Sequence, residues 1–301
     1  MTSAIVVTYN SAGHVATVVQ SCLRQELPVV VVDNGSTDGT LEEIAPSKLV
    51  TIIRNSANLG FAAGVNQAVL ASKSPLLLLL NPDTELLDSI QPLANFAATR
   101  RRASAGLLVD SSGNPQIGFT VRRLPTPLGL AMQLAGLHQL WPGNPVNRRY
   151  RCADLDLTRS RLVEQPAGAC LLFRRDDWSE LGGFDERFYP VWFEDVDFCK
   201  RFQESGGHIQ LDPSVRVRHL GGHSVHRIRL GLRQRYWHEN LLRYAVKHFS
   251  PARARLVAGA ALLGVIPRSC ALLWGESPAA AISFVGSVGR VSLQLLLTGH
   301  N

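Results

Sequence analysis

A chain of 301 residues, 46% hydrophobic and 18% charged, carries enough apolar material for one large folded domain or a domain with a smaller appendage, and is too apolar for disorder. Its net charge of +7 invites a phosphate-bearing partner, but the arginines are scattered and no basic run is interleaved with aromatics, so nothing beyond charge supports a nucleic-acid binder. The five cysteines (Cys22, Cys152, Cys170, Cys199 and Cys270) are odd in number and contain no C-x-x-C pair, which argues against a disulfide framework or a zinc knuckle and fits a reducing cytosol.

The N-terminus, MTSAIVVTYN, has no basic stretch and no long apolar run, so no signal peptide is expected. AIVVTY reads as a buried strand and SAGHVATVVQSCLRQ as a helix. PVVVVD is a second strand ending at Asp33. NGSTDGT is a turn cluster, after which Thr40 and Glu43 predict a capping box opening a helix. LVTIIRN is a third strand, GFAAGVNQAVLAS a small-residue helix suited to close packing, and PLLLLLN a fourth strand. Strands this apolar, alternating with helices, imply a mostly parallel sheet covered on both faces, a doubly wound α/β domain. Such sheets bind ligands at the carboxyl ends of their strands. Those ends carry Thr8-Tyr9-Asn10, Asp33-Asn34-Gly35, Asn55 to Gly60 and Asn81-Pro82-Asp83. Asn, Asp and Gly also simply make good turns, but four polar ends on one edge suggest a binding crevice. Neither G-x-G-x-x-G after the first strand nor G-x-x-x-x-G-K-[ST] occurs, so the ordinary dinucleotide and phosphate-loop fingerprints are missing.

AGLLVDSSGNPQ reads as strand and turn. Residues 119–151 are rich in Pro and Arg and are expected as a loop-rich flap. PAGACLLFRRDDW returns to a strand and SELGGFDERF to a turn. From Glu194 the pattern is helical: Val196, Phe198, Cys199 and Phe202 share an inner face, and Gly206-Gly207 ends it. Glu194, Asp195 and Asp197 then crowd the first turn. A helix dipole explains one or two acids there; the aromatics just before them (Tyr189, Trp192, Phe193) suggest an apolar pocket wall able to raise a carboxylate's pKa for general-base work. VRVRHLGGHSVHR follows with His219, His223 and His226, any of which also reads as a polar loop residue. LRQRYWHENLLRYAVKHF is a helix. Residues 251–301 are apolar but interrupted by Arg255, Arg268 and Arg290, and neither segment there reads as a membrane span. They are expected to lie in a membrane surface, or to pack on the domain or on a second subunit as a homo-oligomer contact. The division expected is residues 1–250 and 251–301.

VVTYN, VVVDNGSTDGT, NLGFAAGVNQ, LLLLNPDTEL, GGFDERFYPVWFEDVDFCKR and RHLGGHS, in this order over roughly residues 3–245, resemble glycosyltransferase family 2, and most of all its rhamnosyltransferase-like bacterial branch. The resemblance implies a GT-A fold, a nucleotide-sugar donor, Mg²⁺ or Mn²⁺, and inversion at the anomeric carbon. By position it implies that Thr8, Tyr9, Asn10, Asp33, Asn58, Gly60 and Phe61 surround the donor nucleotide. Asn81-Pro82-Asp83 takes the place of the D-x-D motif, with Asp83 on the metal and Asn81 in place of the first acid. His219 matches a histidine that completes the metal site in some relatives. Asp195 takes the place of the general base, with Glu194 beside it as a catalytic candidate; Gly183, Phe184, Asp185, Trp192 and Asp197 are implied on the acceptor side.

Read this way, the chain is expected to transfer L-rhamnose from dTDP-L-rhamnose to a glycan or polyprenyl-diphosphate-linked saccharide in cell-envelope polysaccharide synthesis. It would be cytoplasmic, at the inner face of the membrane. The alternatives are another donor (UDP-galactofuranose, UDP-N-acetylglucosamine or a GDP-sugar), or a non-catalytic nucleotide- or glycan-binding protein on the same scaffold. Retention of both Asp83 and Asp195 argues against the last.

Overall fold

The computed structural model describes residues 1–221 and 228–298; His223 and His226 lie outside the described residues. In chain order the elements are β1 (Thr2–Thr8), α1 (Val15–Leu23), β2 (Val29–Asp33), a 3₁₀ turn (Leu41–Glu43), β3 (Val50–Arg54), α2 (Phe61–Ala71), β4 (Leu76–Leu80), β5 (Thr84–Leu86), α3 (Gln91–Ala97) and β6 (Arg102–Val109). There follow β7 (Val121–Arg122), α4 (Pro127–Leu134), α5 (Leu137–Leu140), α6 (Pro145–Tyr150), β8 (Arg161–Val163), β9 (Gln165–Pro166), β10 (Cys170–Arg174) and α7 (Arg175–Glu180). The last are α8 (Glu194–Glu204), β11 (His208–His219), α9 (Leu230–His248), α10 (Pro251–Gly275) and α11 (Pro278–Thr298). Contacts divide the chain into two units. The first is Met1–Arg123, Arg151–Pro190 and Glu194–Ser224; the second is Leu124–Tyr150, Val191–Phe193 and Val225–Asn301.

In the first unit the main sheet runs β3-β2-β1-β4-β10-β6-β11-β5, with β8 on β11. β3, β2, β1 and β4 are parallel, as expected of strands joined by helical crossovers. The order then changes character: β10 runs antiparallel to both β4 and β6, placing Cys170 opposite Leu80. The all-leucine β4 is buried at every position because it is a central strand covered on both faces. β3, by contrast, is the edge strand, and its residues are partly or fully exposed. α2 owes its close seat to Gly64, where a Cβ would lie 2.7 Å from Cγ1 of Val7 on β1. The expected inner face of α8 is buried at Val196, Phe198, Cys199 and Phe202.

Two local expectations are corrected. No capping box forms at Thr40. Its hydroxyl bonds Asp38 and accepts from Ser11 N (2.8 Å), Glu43 accepts from Gly13 N (2.7 Å), and the segment after it is only one 3₁₀ turn. The cap side chains are used to tie down the loop after β1 instead. Residues 119–151 are not a structureless flap either: they hold β7 and three helices, α4 being capped by Thr126, whose Oγ1 accepts from Gly129 N at 3.1 Å.

The second unit gathers α4, α5 and α6 with α9, α10 and α11. The division at residue 250 expected from composition is therefore not that of the contacts. α9 buries Leu241, Leu242, Tyr244 and Ala245, and its Arg235 and Glu239 pair at 2.8 Å while Ser287 of α11 donates to Glu239. The C-terminal segments are also not broken. α10 continues through Pro267, and both α10 and α11 are long and apolar enough to cross a membrane by length and composition. Arg268 does not interrupt α10 because it is used inside the unit. Its Nη1 and Nη2 donate to the carbonyls of Leu134 (2.5 Å) and Gln133 (2.9 Å) at the end of α4, the second of which also accepts from Gly136 N (3.2 Å).

Candidate active site

The donor-side residues converge at the carboxyl ends of β1, β2 and β3, all in the first unit. The parallel register sets Thr8 beside Asp33 and Asp33 beside Arg54. The Asp33 carboxylate is buried and accepts from Ser36 N at 3.0 Å and from the Ser36 hydroxyl. Ser36 also accepts from Asn10 N (2.8 Å), and the Asn10 side chain accepts from Thr37 N (2.9 Å), which fits Asn10's left-handed φ of +50°. Thr8 Oγ1 is buried without a partner, an open polar atom at the strand end. Tyr9 is exposed beside it.

A residue outside the expected set joins these loops. Asn34 N donates to Thr8 O (2.9 Å), its Nδ2 donates to Gly60 O (3.0 Å), and its Oδ1 accepts from Asn55 (2.9 Å). Asn58 Oδ1 accepts from Gly60 N (2.9 Å), and Phe61 N donates to Pro190 O (2.7 Å). Gly60 has φ +91°, and a Cβ there would stand 2.9 Å from the Tyr189 ring, so only glycine fits the entry to α2.

The second cluster is built at the tip of β4. Asn81 N donates to Ala169 O (3.2 Å) and Thr84 turns back onto Asn81 O (2.7 Å), which fixes the Asn81-Pro82-Asp83 corner. β5 pairs with β11 so that His219 faces Thr84, and Leu220 N donates to Asp83 O (3.1 Å). This register brings His219 Nε2 to 3.5 Å from Asp83 Oδ1, both side chains being buried. Burial pushes the His219 pKa below its ordinary value, opposed by the Asp83 charge, which favours the neutral ring that metals bind. Among the described residues no three His, Cys, Asp or Glu side chains gather into a metal cage. A carboxylate with a neutral imidazole nonetheless suits a divalent ion whose other positions are taken by water and phosphate oxygens.

The base candidate lies on the other side of the same backbone. Gly168 N donates to Asp195 Oδ2 (3.0 Å), and the next residue, Ala169, accepts from Asn81 N. Asp195 Oδ1 accepts from Val196 N (2.8 Å) at the start of α8. Burial raises the Asp195 pKa, while these two amides and the Arg122 charge pull against it. Its side chain stays partly accessible, as a base must. Glu194 differs: it is buried, Oε2 has no partner, and burial with the neighbouring Asp195 charge drives its pKa well above the usual carboxylate range. Burial thus favours the protonated form of Glu194 over the carboxylate.

The expected acceptor-side residues separate. The Phe184 ring is 2% exposed, packed on Trp178 (4.6 Å) and Phe198 (5.5 Å). Gly183, at φ +73°, lets Asn66 bond both Phe184 N and Phe184 O at 3.0 Å. Asp197 is wholly buried and paired with Arg201 (2.8 Å), whose other nitrogens hold the carbonyls of Leu181 and Gly183 (2.7 Å each). Asp185 is held by Arg187 (2.6 Å). These side chains build the loop before α8 rather than an open surface. Trp192, at φ +80°, belongs to the second unit.

The family model for glycosyl transferase family 2 matches residues 3–177, which include β1 to β4, the Asn81-Pro82-Asp83 corner and β10. The chain belongs to glycosyl transferase family 2. Among curated proteins, N-acetylglucosaminyl-diphospho-decaprenol L-rhamnosyltransferase of Mycobacterium tuberculosis is 32% identical over 241 residues, 74% of this chain and 77% of that one. The protein is thus a family 2 glycosyltransferase of rhamnosyltransferase-like kind. Solved structures share its fold. GalNAc-T7 with UDP, GalNAc and Mn²⁺ superposes with a TM-score of 0.60 at 17% identity, over 96% of this chain; the chain spans 54% of that structure. S. aureus TarS 1–349 in complex with UDP-GlcNAc gives 0.55 at 15% identity, over 98% of this chain and 81% of that one. The fold is the GT-A fold with added C-terminal helices.

Four residues touching these clusters were given no individual role in advance: Asn34, named only as part of a polar strand end, and Gln116, Phe119 and Arg122. Phe119 stacks on His219 (4.9 Å between centroids, 13° between planes), and Arg122 sits over the Phe119 ring at 5.6 Å. Gln116 bonds His219 at two points, 2.7 and 3.0 Å. Phe119 and Arg122 come from the stretch read as a flap and Gln116 closes the one read as strand and turn, where no periodicity marks which residues turn inward. Asn34 lay in the NGSTDGT turn and was open to the reading that Asn merely turns well.

Proposed function

We propose that this glycosyltransferase is inverting and metal-dependent. It moves L-rhamnose from dTDP-L-rhamnose to a hydroxyl of a glycan or polyprenyl-diphosphate-linked saccharide in bacterial cell-envelope polysaccharide synthesis. The observation that carries the mechanism is the Gly168-Ala169 backbone, which holds Asp195 through one amide and the Asn81-Pro82-Asp83 corner through the next carbonyl. The rhamnosyl group and the acceptor are supported by the M. tuberculosis relative, an N-acetylglucosaminyl-diphospho-decaprenol L-rhamnosyltransferase; dTDP as the carrier rests on the family resemblance.

Thr8, Asn10, Asp33 and the Asn58-Gly60-Phe61 turn bind the nucleotide at the strand ends. Asp83 and His219 are the residues that would hold Mg²⁺ or Mn²⁺; a bound ion supplies positive charge that neutralises the diphosphate as it leaves. Asp195 accepts the proton of the acceptor hydroxyl as its oxygen bonds the anomeric carbon and the bond to the nucleoside diphosphate breaks on the opposite face. One in-line displacement inverts the centre and needs no covalent intermediate. The apolar surface of α10 and α11 brings the protein to the membrane that carries a polyprenyl acceptor.

The test is Asp195→Asn. Turnover of dTDP-L-rhamnose should fall by about 10²–10⁴-fold, the usual worth of a general base, while dTDP with Mn²⁺ still raises the melting temperature. In the wild type, the acidic limb of kcat/KM should lie above 3.8, because Asp195 must lose a proton that burial makes it keep longer. Unimpaired turnover by the asparagine variant would remove Asp195 from the mechanism. Transfer from a UDP- or GDP-sugar but not from dTDP-L-rhamnose would replace the donor.

A further inference from the structure

Gln116 lies just beyond β6 with its backbone fixed: Gln116 N donates to Leu108 O at 2.9 Å, and Gln116 O accepts from Phe119 N (3.1 Å) and Thr120 N (2.9 Å). Its side-chain amide therefore reaches His219 from a rigid base. One end of that amide stands 2.7 Å from the His219 backbone carbonyl. A carbonyl only accepts, so that end is the NH₂ group. The other end is then the oxygen, and it lies 3.0 Å from His219 Nδ1. An amide oxygen only accepts, so Nδ1 carries the hydrogen. Turning the imidazole over, stacked as it is against Phe119, would break its bond to the Gln116 oxygen while the bond to the backbone carbonyl still held the amide in place. The remaining nitrogen, Nε2, is the one 3.5 Å from Asp83 Oδ1, too far and too poorly placed for a hydrogen bond.

We propose that Gln116 is a positioning residue that locks His219 in the Nδ1–H tautomer, so that the Nε2 lone pair and the Asp83 carboxylate face one point and can share a divalent cation. The inference rests on the reading of Asp83 and His219 as the metal-holding pair. The amide does for His219 what an outer carboxylate or carbonyl does for a ligating histidine elsewhere: it fixes ring orientation and hydrogen position before the ion arrives. A backbone carbonyl and a side chain are both used, so the lock depends on the β11 end staying paired with β5.

The decisive measurement needs no catalysis. In metal-free protein labelled with ¹⁵N at histidine, above neutral pH, a long-range proton–nitrogen correlation reports which His219 nitrogen is protonated. The peak is assigned by its loss in His219→Gln. The wild type should show Nδ1 protonated and Nε2 bare. In Gln116→Met, similar in length but without polar atoms, the hydrogen should move largely to Nε2, and Mn²⁺ affinity read by electron paramagnetic resonance should fall about tenfold or more. Nε2–H in the wild type would overturn the proposal, as would a methionine variant that keeps both tautomer and affinity. If Gln116→Met does not fold, the wild-type spectrum still decides. A wild type with Nδ1–H that binds no Mn²⁺ in the presence of dTDP would sustain the lock and remove the metal reading instead.

Discussion

Glu194 and Asp195 are neighbours with opposite fates. Asp195 is answered by two backbone amides and by the Arg122 charge; Glu194 has a buried oxygen with no partner. Its folded pKa is raised above the ordinary 4.5, so the form the fold favours is the protonated one. That contribution is intact below pH 4.5 and is lost as pH rises from there through the folded value. Glu194→Gln keeps a neutral group at every pH. Its unfolding free energy should therefore pull ahead of the wild type as pH climbs, by up to about 1.4 kcal/mol per pH unit between the two pKa values, read as a growing gap in melting temperature. A difference that stays flat with pH would show that Glu194 is ionised and paired. At this scale the acids were legible in the sequence, since a cluster at a helix start announces itself. Their division of labour was not, because it depends on Gly168 and Arg122, which come from distant segments. Phe184 and Asp197 show the same limit: one is taken by an aromatic core and the other by Arg201, contacts that no spacing discloses.

α2 shows how one position sets the distance between a helix and its sheet. Alanine is worth about 1 kcal/mol over glycine in a helix interior. At Gly64 that gain is outweighed, because the added methyl would meet a β-branched Val7 that is itself 5% exposed and cannot swing away. Overpacking of this kind costs about 1–3 kcal/mol. Gly64→Ala should thus lower the urea midpoint, a net loss of up to about 2 kcal/mol, and should weaken dTDP binding through the adjacent Asn34 amide. A midpoint equal to or above the wild type would refute tight packing there. The helices and strands of residues 1–80 could be read directly because their periodicity is unmixed. The 119–151 stretch could not: its helices are short, and α4 is held by Thr126 at one end and by an arginine far along the chain at the other. Thr40 failed as a cap for a related reason, since its hydroxyl is claimed by Asp38 and Ser11.

For the whole molecule, the second unit bears on the membrane placement proposed above. Leu263, Ile266, Leu273 and Trp274 recur at helical spacing along α10 and are 72%, 68%, 49% and 93% exposed. On α11, Ile282, Leu293 and Leu297 are likewise exposed, and Arg253, Arg255 and Arg290 are exposed among them. Apolar side chains with flanking arginines suit an anionic lipid surface. The full chain should sediment with vesicles containing phosphatidylglycerol, less so in high salt. Leu263→Glu with Ile266→Glu should weaken this about tenfold or more, given about 1.5–3 kcal/mol for each buried aliphatic side chain. A concentration-dependent dimer that ignores vesicles would assign the surface to a second copy. Arg268, on the same helix, has a different consequence. It closes the end of α4 from a position 134 residues later in the chain. On the ribosome, α4 emerges with the Leu134 carbonyl open and waits through the synthesis of more than a hundred residues before Arg268 exists. Maturation of the second unit is therefore tied to completion of the polypeptide, and a nascent chain halted before Arg268 leaves the Leu134 carbonyl at the end of this helix without its guanidinium partner.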